Sequence, residues 1–425
     1  MAAKPLNVLI SGSGIAGSVF SFWLLRAFPN AKITIVERAP SLRLTGASVD
    51  IRSSAVDIIK WMGAEADIRK HSTKEKGMQW VNAQGKPFAT LGATGRTDVQ
   101  SITSEFEIFR GELGKIFIEP SLDKIHLVFN ESIDHYEERS EGVTVHFNNG
   151  KPASTYDLLV AADGFGSRIR GTMLGTNPRE QIHDEGVHVA YFTIKKDLLE
   201  GSQYAQWHNE LGGRVVCLRP DPSPKGQVRA MLMNITTKKQ TVEKARLNQA
   251  LAEGNESYMA LMEEMFKDAG WLAPEVLKGM RESDDFYCSL FAQTRSPKLQ
   301  NGQRVVLLGD AGYATPGMGT SLAIMGAYVL AGELLRNDCN IPKAMQEYES
   351  LLQPFVKSQQ GGAIGEVAMQ LLNPQTRWGC WVRDMVMMTL TGLKIDQIAI
   401  TVSAWLGFTE PKLPMPEYAW PVEKS

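Results

Sequence analysis

The pattern of apolar and polar positions over the first forty residues predicts a strand, a glycine turn, a helix and a second strand. An apolar run at 8–11 leads into the glycine turn at 12–17, and an apolar stretch continues to Leu25. A second apolar run at 33–36 ends at Glu37. Short apolar runs bounded by turn residues fit buried parallel strands, and the longer stretch fits a helix. These residues therefore predict a βαβ unit.

The remaining pattern predicts helices at 54–62 and from 111, and a hairpin at 77–91. Three alternating segments between 126 and 147 predict an antiparallel meander before a buried strand at 157–162. A second sheet is predicted from strands at 188–194, 214–218 and 227–235, followed by helical sequence at 241–269. Another buried strand at 304–308 precedes a glycine loop and a helix, and the tail from Ala344 is predicted to be mostly helical.

The first glycine turn has the residue types of a dinucleotide site. Gly12 permits a tight turn, Gly14 allows a pyrophosphate to approach the backbone, and Gly17 allows the helix to pack closely on the sheet. The helix N-terminus offers free N–H groups to phosphates. Glu37, twenty residues after Gly17, is placed to accept the hydroxyls of a ribose. An isolated GxGxxG is often only a loop, but the flanking strands and acid favour nucleotide binding.

Two more glycine and acid turns follow buried strands, at Asp163-Gly164 and at Gly309-Asp310-Ala311. Because the carboxyl ends of parallel strands meet at one crevice, the three turns predict one extended ligand. A single βαβ unit would fit NAD. The third turn instead favours a longer cofactor with a ribityl chain.

Composition excludes several classes of protein. The 425 residues, with 43% hydrophobic and 22% charged residues, are typical of a soluble globular chain of one elaborate domain or two. The net charge is −2 and lysine and arginine form no dense cluster, which argues against nucleic-acid binding. Four distant cysteines without a CxxC pair, and seven histidines without HxxxH or HExxH spacing, lead us to predict no metal and a reducing, cytoplasmic location.

Two uncharged stretches raise the question of a membrane segment. Residues 5–25 contain glycines and serines that argue against a signal peptide or a transmembrane span. Residues 397–409 are too few to cross a bilayer. We expect this second stretch to be a packed helix, with peripheral membrane contact as the alternative.

The three turns, in this order and spacing, resemble those of the FAD-dependent monooxygenases of the para-hydroxybenzoate hydroxylase class, the group A flavoprotein monooxygenases. Within that class the chain is most similar to the tetracycline-inactivating monooxygenases and their fungal and actinobacterial relatives. The resemblance covers residues 5–350 or so and includes Glu37-Arg38 and Ser167-Arg168. It departs at Tyr313 and Ala323, where many members have His and Asn.

The resemblance implies an α/β fold in which a Rossmann-like FAD-binding domain is interleaved with a mixed-sheet substrate domain and followed by a helical C-terminal tail. The FAD-binding domain would comprise residues 1–75, 101–175 and 286–355. The substrate domain would comprise 76–100 and 176–285, and the C-terminal helices 356–425.

The resemblance also implies roles for individual residues. Those expected to bind FAD or its reductant are Gly12, Gly14, Ile15, Ala16, Gly17, Glu37 and Arg38 at the AMP half, Asp163 and Gly164 near the pyrophosphate, Asp310 at the ribityl chain, Gly317, Met318, Gly319 and Thr320 at the flavin pyrimidine, Arg110 and Asp50 near the flavin, and Arg43 toward NADPH. Solvated side chains are the alternative for the arginines, and turn formation is the alternative for Asp50 and Asp163.

The sequence identifies the residues of the substrate pocket less well than those of the cofactor site. Tyr191, Met231 and Met233 are candidates from the second sheet, and Pro316 and Gly317 are candidates from the glycine loop. The alternative for the first three is ordinary core packing. His208 is a possible base, but a solvated loop histidine is the favoured interpretation.

The activity implied by the resemblance uses FAD, NADPH or NADH, and O₂. One oxygen atom would enter an aromatic or polyketide-like secondary metabolite, with hydroxylation through a flavin C4a-hydroperoxide favoured over epoxidation or Baeyer–Villiger oxidation. A non-oxygenating FAD-binding protein remains open, whereas Gly309-Asp310-Ala311 argues against a plain NAD-dependent dehydrogenase. We expect a monomer or weak homodimer without a catalytic metal.

Overall fold

The computed structural model describes residues 4–42, 47–92, 106–223, 225–360, 370–393 and 412–421. The strands are β1 Asn7–Ser11, β2 Lys32–Glu37, β3 Ser48–Val49, β4 Gly77–Val81, β5 Pro87–Gly92, β6 Ile108–Phe109, β7 Ile125–Phe129, β8 Ile133–Arg139, β9 Gly142–Phe147, β10 Ser154–Tyr156, β11 Leu158–Ala161, β12 Ile182–Ile194, β13 Ala205–Glu210, β14 Arg214–Pro220, β15 Val228–Ile235, β16 Tyr287–Thr294 and β17 Val305–Leu307. The helices are α1 Ile15–Ala27, α2 Ala55–Trp61, α3 Glu65–His71, α4 Arg110–Ile118, α5 Arg168–Leu174, α6 Thr241–Glu253, α7 Asn255–Phe266, α8 Ala273–Arg281, α9 Asp310–Tyr313, α10 Gly319–Arg336, α11 Ile341–Gln360 and α12 Arg377–Gly392.

A five-stranded parallel sheet with the order β17-β11-β1-β2-β7 forms the centre of the first half of the fold. Val8 and Ile10 point from β1 into a core shared with α1 and α10, whereas Leu9 points to the opposite face, against β9. This alternation follows from the period of two along a strand. The predicted βαβ unit is therefore confirmed, with apolar packing on both faces of the sheet.

The predicted meander is wrong in its first strand. β7 pairs in parallel with β2 and extends the five-stranded sheet. The antiparallel sheet that covers one face of the parallel sheet consists of β8, β9 and β10. The alternating pattern of β7 is equally suited to an edge strand of a parallel sheet, so pattern alone did not separate the two arrangements.

A seven-stranded mixed sheet with the order β16-β12-β15-β14-β13-β4-β5 forms the second half. One face packs on α6, α7 and α8 through side chains such as Phe192, Leu218 and Leu232. The sequence did not predict β13 or β16. Although the predicted boundary at 286 places β16 with the FAD-binding segments, β16 pairs with β12 in this sheet. The domain limits themselves stay predictions.

The described part of the tail is helical in α11 and α12, but residues 412–421 have no regular secondary structure. This segment lies across α1 and α10. The Tyr418 hydroxyl donates to the buried Glu333 carboxylate at 2.7 Å, and the Trp420 ring centroid lies 4.6 Å from that of Trp23. The apolar stretch 397–409 lies outside the described residues. Among the described helices, none has the length and apolarity needed to cross a bilayer.

Candidate functional site

The glycine turn after β1 has the close contacts that its sequence predicts. Gly12 has φ +105°, and a Cβ there would lie 2.4 Å from the Ala162 carbonyl oxygen. A Cβ on Gly17 would lie 2.2 Å from the Gly12 carbonyl oxygen. A Cβ on Gly14 would meet nothing within 4 Å. Gly12 and Gly17 are thus required for packing, whereas Gly14 borders open space beside the backbone.

Two helix N-termini without a side-chain cap begin at this edge of the sheet. Gly14 precedes α1 and Met318 precedes α10, and neither helix has an acid in its first turn. The side chains of Ile15 and Ala16 are buried, so these residues offer only backbone N–H groups. A Cβ on Gly309 would lie 2.9 Å from the Ala16 Cβ and 3.5 Å from the Ala323 Cβ, so the first turns of α1 and α10 lie close together and their partial positive charges are near one another. Such a pair favours an anionic ligand.

Glu37 lies at the end of β2 and is tied to the glycine turn. Its carboxylate accepts the Ser13 backbone N–H at 3.1 Å and the Ser13 hydroxyl at 3.0 Å, and the Ala39 N–H at 2.9 Å. These bonds fix the carboxylate beside the glycine turn, which is the position that the sequence predicts for it. The Arg38 side chain is exposed, and its charge acts on Asp163.

Asp163 and Gly164 follow β11 at the same edge. Burial raises the pKa of the Asp163 carboxyl to about 6, and its hydrogen bond with Ser167 offsets only part of that rise. The Asp163 Oδ1 atom is buried without a hydrogen-bond partner. An orphaned carboxylate oxygen beside two helix N-termini fits a site that a polar ligand completes.

A residue that the sequence analysis missed joins two of these turns. The fully buried Arg170 donates to the Ala311 carbonyl at 2.7 Å and to the Phe165 carbonyl at 2.7 Å. Its guanidinium therefore holds the turn after β17 against the turn after β11. The sequence feature that could have indicated this residue is an arginine three residues after the N-cap Ser167.

We predict that Asp163→Asn stabilises the flavin-free protein at pH 7.5 by about 1–2 kcal/mol, after allowance for partial solvent exposure. Because the folded-state pKa lies above the ordinary value of 3.8, folding keeps a proton on Asp163, and stability falls as pH rises from about 4 through 6. The variant lacks this loss. Urea denaturation of both proteins should show a difference at pH 7.5 that shrinks at pH 4.5; an equal difference at both pH values would contradict the assignment.

Asp310 begins α9 directly after β17 and faces the start of α10. Its Oδ1 atom lies 3.2 Å from where a Cβ on Gly319 would be, and the preceding Gly309 lies against Ala16 of α1. Gly317 has φ +81° with open space around its Cβ position. The loop of Pro316, Gly317, Met318, Gly319 and Thr320 therefore borders the same opening as the first glycine turn.

Tyr313, a departure from the family pattern, belongs to the core. It is 1% exposed, and its hydroxyl lies 3.1 Å from that of Tyr348, which donates to the Leu307 carbonyl at 2.9 Å. A Cβ on Gly326 would lie 2.1 Å from the Tyr313 hydroxyl. The tyrosine thus ties α9 to α11 and points away from the proposed cofactor site.

Asp50 and Arg110 directly follow β3 and β6, the two strands of the smallest sheet, and Arg43 lies outside the described residues. The Asp50 carboxylate accepts from Arg52 at 2.9 Å, while its Oδ1 has no partner. Burial, and then the charge of Glu107, raise the pKa of Asp50. Arg110 begins α4, with its backbone N–H donating to the Ala47 carbonyl and its side chain exposed.

A buried ionic cluster that the sequence did not indicate lies beside Asp50. Arg219, near the end of β14, donates to both oxygens of Glu75 at 2.8 Å, and also contacts Glu107 and the Ser48 hydroxyl. Ser48 and Glu107 lie in or next to the two-stranded β3–β6 pair. Arg219 therefore joins the seven-stranded sheet to the segment that carries Asp50.

Tyr191, Met231 and Met233 share the face of the seven-stranded sheet opposite α6–α8. Tyr191 and Met231 are direct cross-strand partners, and the Tyr287 ring lies 6.3 Å from that of Tyr191. Because Tyr191 and Met231 are only partly buried, this face offers aromatic and thioether surface rather than a closed core.

The interpretation of His208 as a solvated loop residue is wrong. His208 lies on β13 and is 5% exposed. Its Nδ1 lies 3.1 Å from the Val81 carbonyl oxygen, and its cross-strand partner Val216 packs toward α6–α8. Side chains alternate between the faces of a strand, so His208 lies on the face opposite Trp207 and Met231 and is not a base for a substrate bound on their face.

Comparisons with known proteins agree with this geometry. Residues 5–337 match the family model of the FAD binding domain. Monooxygenase CTB7 of Cercospora beticola is 33% identical over 396 residues, covering 90% of this chain and 91% of that protein. The crystal structure of tetracycline destructase Tet(55) is 26% identical with a TM-score of 0.74, covering 98% of this chain and 100% of that one.

A more distant structure, that of Klebsiella pneumoniae HpxO complexed with FAD and uric acid, has 20% identity and a TM-score of 0.68, and covers 93% of this chain and 96% of that one. It supports the fold alone. Both the α/β fold and the family predicted from the sequence are confirmed. The chain belongs to the FAD-binding family and, within it, to the FAD-dependent monooxygenases.

Proposed function

We propose that this protein uses NADPH or NADH and O₂ to hydroxylate an aromatic or polyketide-like secondary metabolite. The observation that carries the proposal is the convergence of three turns, after β1, β11 and β17, with two uncapped helix N-termini at one edge of the parallel sheet. We further propose that it acts in the cytoplasm as a monomer or weak homodimer.

Different residues at this edge of the sheet would bind different parts of FAD. Gly12, Gly14 and Gly17 bring the backbone to the diphosphate, and the first turn of α1 donates N–H groups to it. Glu37 accepts from the ribose and Asp310 from the ribityl chain. Bound FAD supplies electron transfer from the nicotinamide and activation of O₂. No second GxGxxG unit occurs in the sequence, so the nicotinamide is expected to meet the flavin at the same opening.

The protein's own contribution is binding, orientation and exclusion of water. Backbone N–H groups of residues 317–320 at the start of α10 stabilise negative charge on the pyrimidine ring. Tyr191 and Met231 offer a flat, apolar surface for an aromatic ring, and Met233, which is 3% exposed, packs in the core of the same face. Such a surface orients an electron-rich substrate and keeps water from the reacting atoms.

The relatives are consistent with oxygenation of small molecules, since several are monooxygenases and the structural neighbour Tet(55), at 26% identity, is a tetracycline destructase. Epoxidation and Baeyer–Villiger oxidation require the same binding residues. The structure of the product labelled by ¹⁸O₂ separates them. Hydroxylation adds a hydroxyl to a retained ring, epoxidation converts a C=C bond to a three-membered ring, and Baeyer–Villiger oxidation inserts oxygen beside a carbonyl.

The test begins with the absorption spectrum of the purified protein, followed by NADPH and NADH oxidation under air with a panel of phenols and polyketides. We expect flavin absorbance, and faster oxidation of reductant with at least one aromatic compound. Bound FAD without stimulation by any panel member, together with no oxygen transfer, would favour a non-oxygenating FAD-binding protein. A colourless protein that fails to take up added FAD would overturn the proposed cofactor site.

A further inference from the structure

Two histidines and a glutamate meet on the exposed face of the β8–β9 hairpin. His135 and His146 are direct cross-strand partners, with ring centroids 4.2 Å apart and planes within 7° of parallel. Glu137 lies two residues after His135 and therefore on the same face. One ligand atom from each side chain, a ring nitrogen from each histidine and a carboxylate oxygen from Glu137, lies within 4.8 Å of the other two.

A neighbouring carboxylate orients one of the imidazoles. The Nδ1 atom of His135 lies 2.8 Å from the Asp134 carboxylate. A carboxylate at this position holds the proton on Nδ1 and leaves the Nε2 lone pair free. Histidines that ligate metals very often have such a partner on the second nitrogen.

The glutamate is a charged ligand at neutral pH. Arg139 donates to its Oε2 at 3.0 Å and lowers the pKa of Glu137. The other oxygen, Oε1, lies 3.9 Å from His146 Nε2. The Oε2 atom is therefore held by Arg139, and the Oε1 atom faces the histidine pair and is available as a ligand.

We propose that His135, Glu137 and His146 bind a divalent transition metal of the zinc class. Two imidazoles and one carboxylate suit Zn²⁺, with water in the fourth position of a tetrahedron. Tetrahedral bonds of about 2.1 Å place ligand atoms about 3.4 Å apart. The ligand atoms, which now lie within 4.8 Å of one another, therefore need to move closer by only about 1 Å. All three are about half exposed, and small rotamer changes suffice.

The site stands apart from the proposed oxygenation chemistry. Among the described residues, these three side chains make polar contacts with Asp134, Arg139 and one another, and none of these contacts is with the glycine turns. A metal here would cross-link β8 to β9, and the expected consequence is stabilisation of the folded protein. HxxxH and HExxH searches miss such a site, because its ligands are brought together by strand pairing.

The test is calorimetric titration of the purified flavoprotein with Zn²⁺ at pH 7.5. We expect binding of one equivalent, weakened at least about tenfold by His135→Ala or His146→Ala. The matched control is His126→Ala, which removes an exposed histidine from β7 and should leave the binding unchanged.

A second measurement identifies the ligands even if calorimetry is complicated by the cysteines. Electron paramagnetic resonance of one added equivalent of Cu²⁺ should show coupling to two imidazole nitrogens, and this signal should disappear in the double variant His135→Ala/His146→Ala. Zinc should also raise the melting temperature of the native chain but not of the double variant. Absence of Zn²⁺ binding, or unchanged binding in the double variant, would overturn the proposal.

Discussion

Asp310→Ala should yield a protein that purifies with little or no FAD. Asp310 lies where the ends of β17, α1 and α10 meet, and its carboxylate faces the start of α10. Losing a hydrogen bond to a charged acceptor costs about 1.5–3 kcal/mol, which weakens FAD binding about ten- to a hundredfold. Flavin absorbance of the purified protein and fluorescence titration of the apoprotein with FAD measure the effect.

The control is Asp123→Ala, which removes an exposed aspartate after α4, away from the turns that border the proposed site. It should purify with the flavin content of the native chain. Asp310→Asn retains the size of the side chain and separates charge from shape: if the carboxylate acts as an acceptor, this variant should bind FAD with intermediate affinity. Native flavin content in Asp310→Ala would remove Asp310 from the ribityl role.

The elements that sequence predicted well are those specified by local pattern. The βαβ unit, the hairpin of β4 and β5, and α10 each carry an apolar period and turn residues within their own segment. The glycine turn was also predictable from the sequence, because positions 12 and 17 have no room for a Cβ and only glycine fits there. Local sequence suffices where the same few residues fix both conformation and packing.

The elements that sequence missed depend on distant partners. β13 has the polar sequence Ala-Gln-Trp-His-Asn-Glu and is a strand because β14 and β4 pair with it on either side. β7 has an alternating pattern that suits two different sheets, and pairing with β2 decides between them. The His135–His146 pair arises in the same way. Tertiary context overrides weak local preference in each case.

The conformation of the glycine turn at the candidate site was predictable from local sequence, whereas the ionic cluster beside Asp50 was not. Arg219 ends an apolar strand, and a lone arginine at a strand end usually indicates solvent. In the fold it is 18% exposed and contacts Glu75 and Glu107. These acids lie far from it in sequence, so only the assembled sheets reveal that the charge is compensated.

Arg219→Met should be strongly destabilising at pH 7.5, by about 3–5 kcal/mol, because it leaves buried carboxylates without their cation. Burial raises the pKa of Glu75 even in the native chain, although Arg219 lowers it. Removing the arginine raises that pKa further. A carboxyl whose folded-state pKa exceeds its unfolded value binds protons on folding, so stability of the variant should recover as pH falls. Urea denaturation at pH 7.5 and 5.5 measures both effects.

Two further variants distinguish uncompensated charge from lost packing. Arg219→Met combined with Glu75→Gln and Glu107→Gln removes the charges together, and it should recover much of the lost stability at pH 7.5 and depend little on pH. Arg246→Met breaks only an exposed ion pair with Glu264 and should leave the free energy of unfolding nearly unchanged, because solvent screens that pair. If the triple variant is no more stable than Arg219→Met, the cluster acts through shape rather than charge. Recovery would instead show that Arg219 joins the seven-stranded sheet to the β3–β6 pair beside Asp50 by neutralising acids that could not be buried as anions without it.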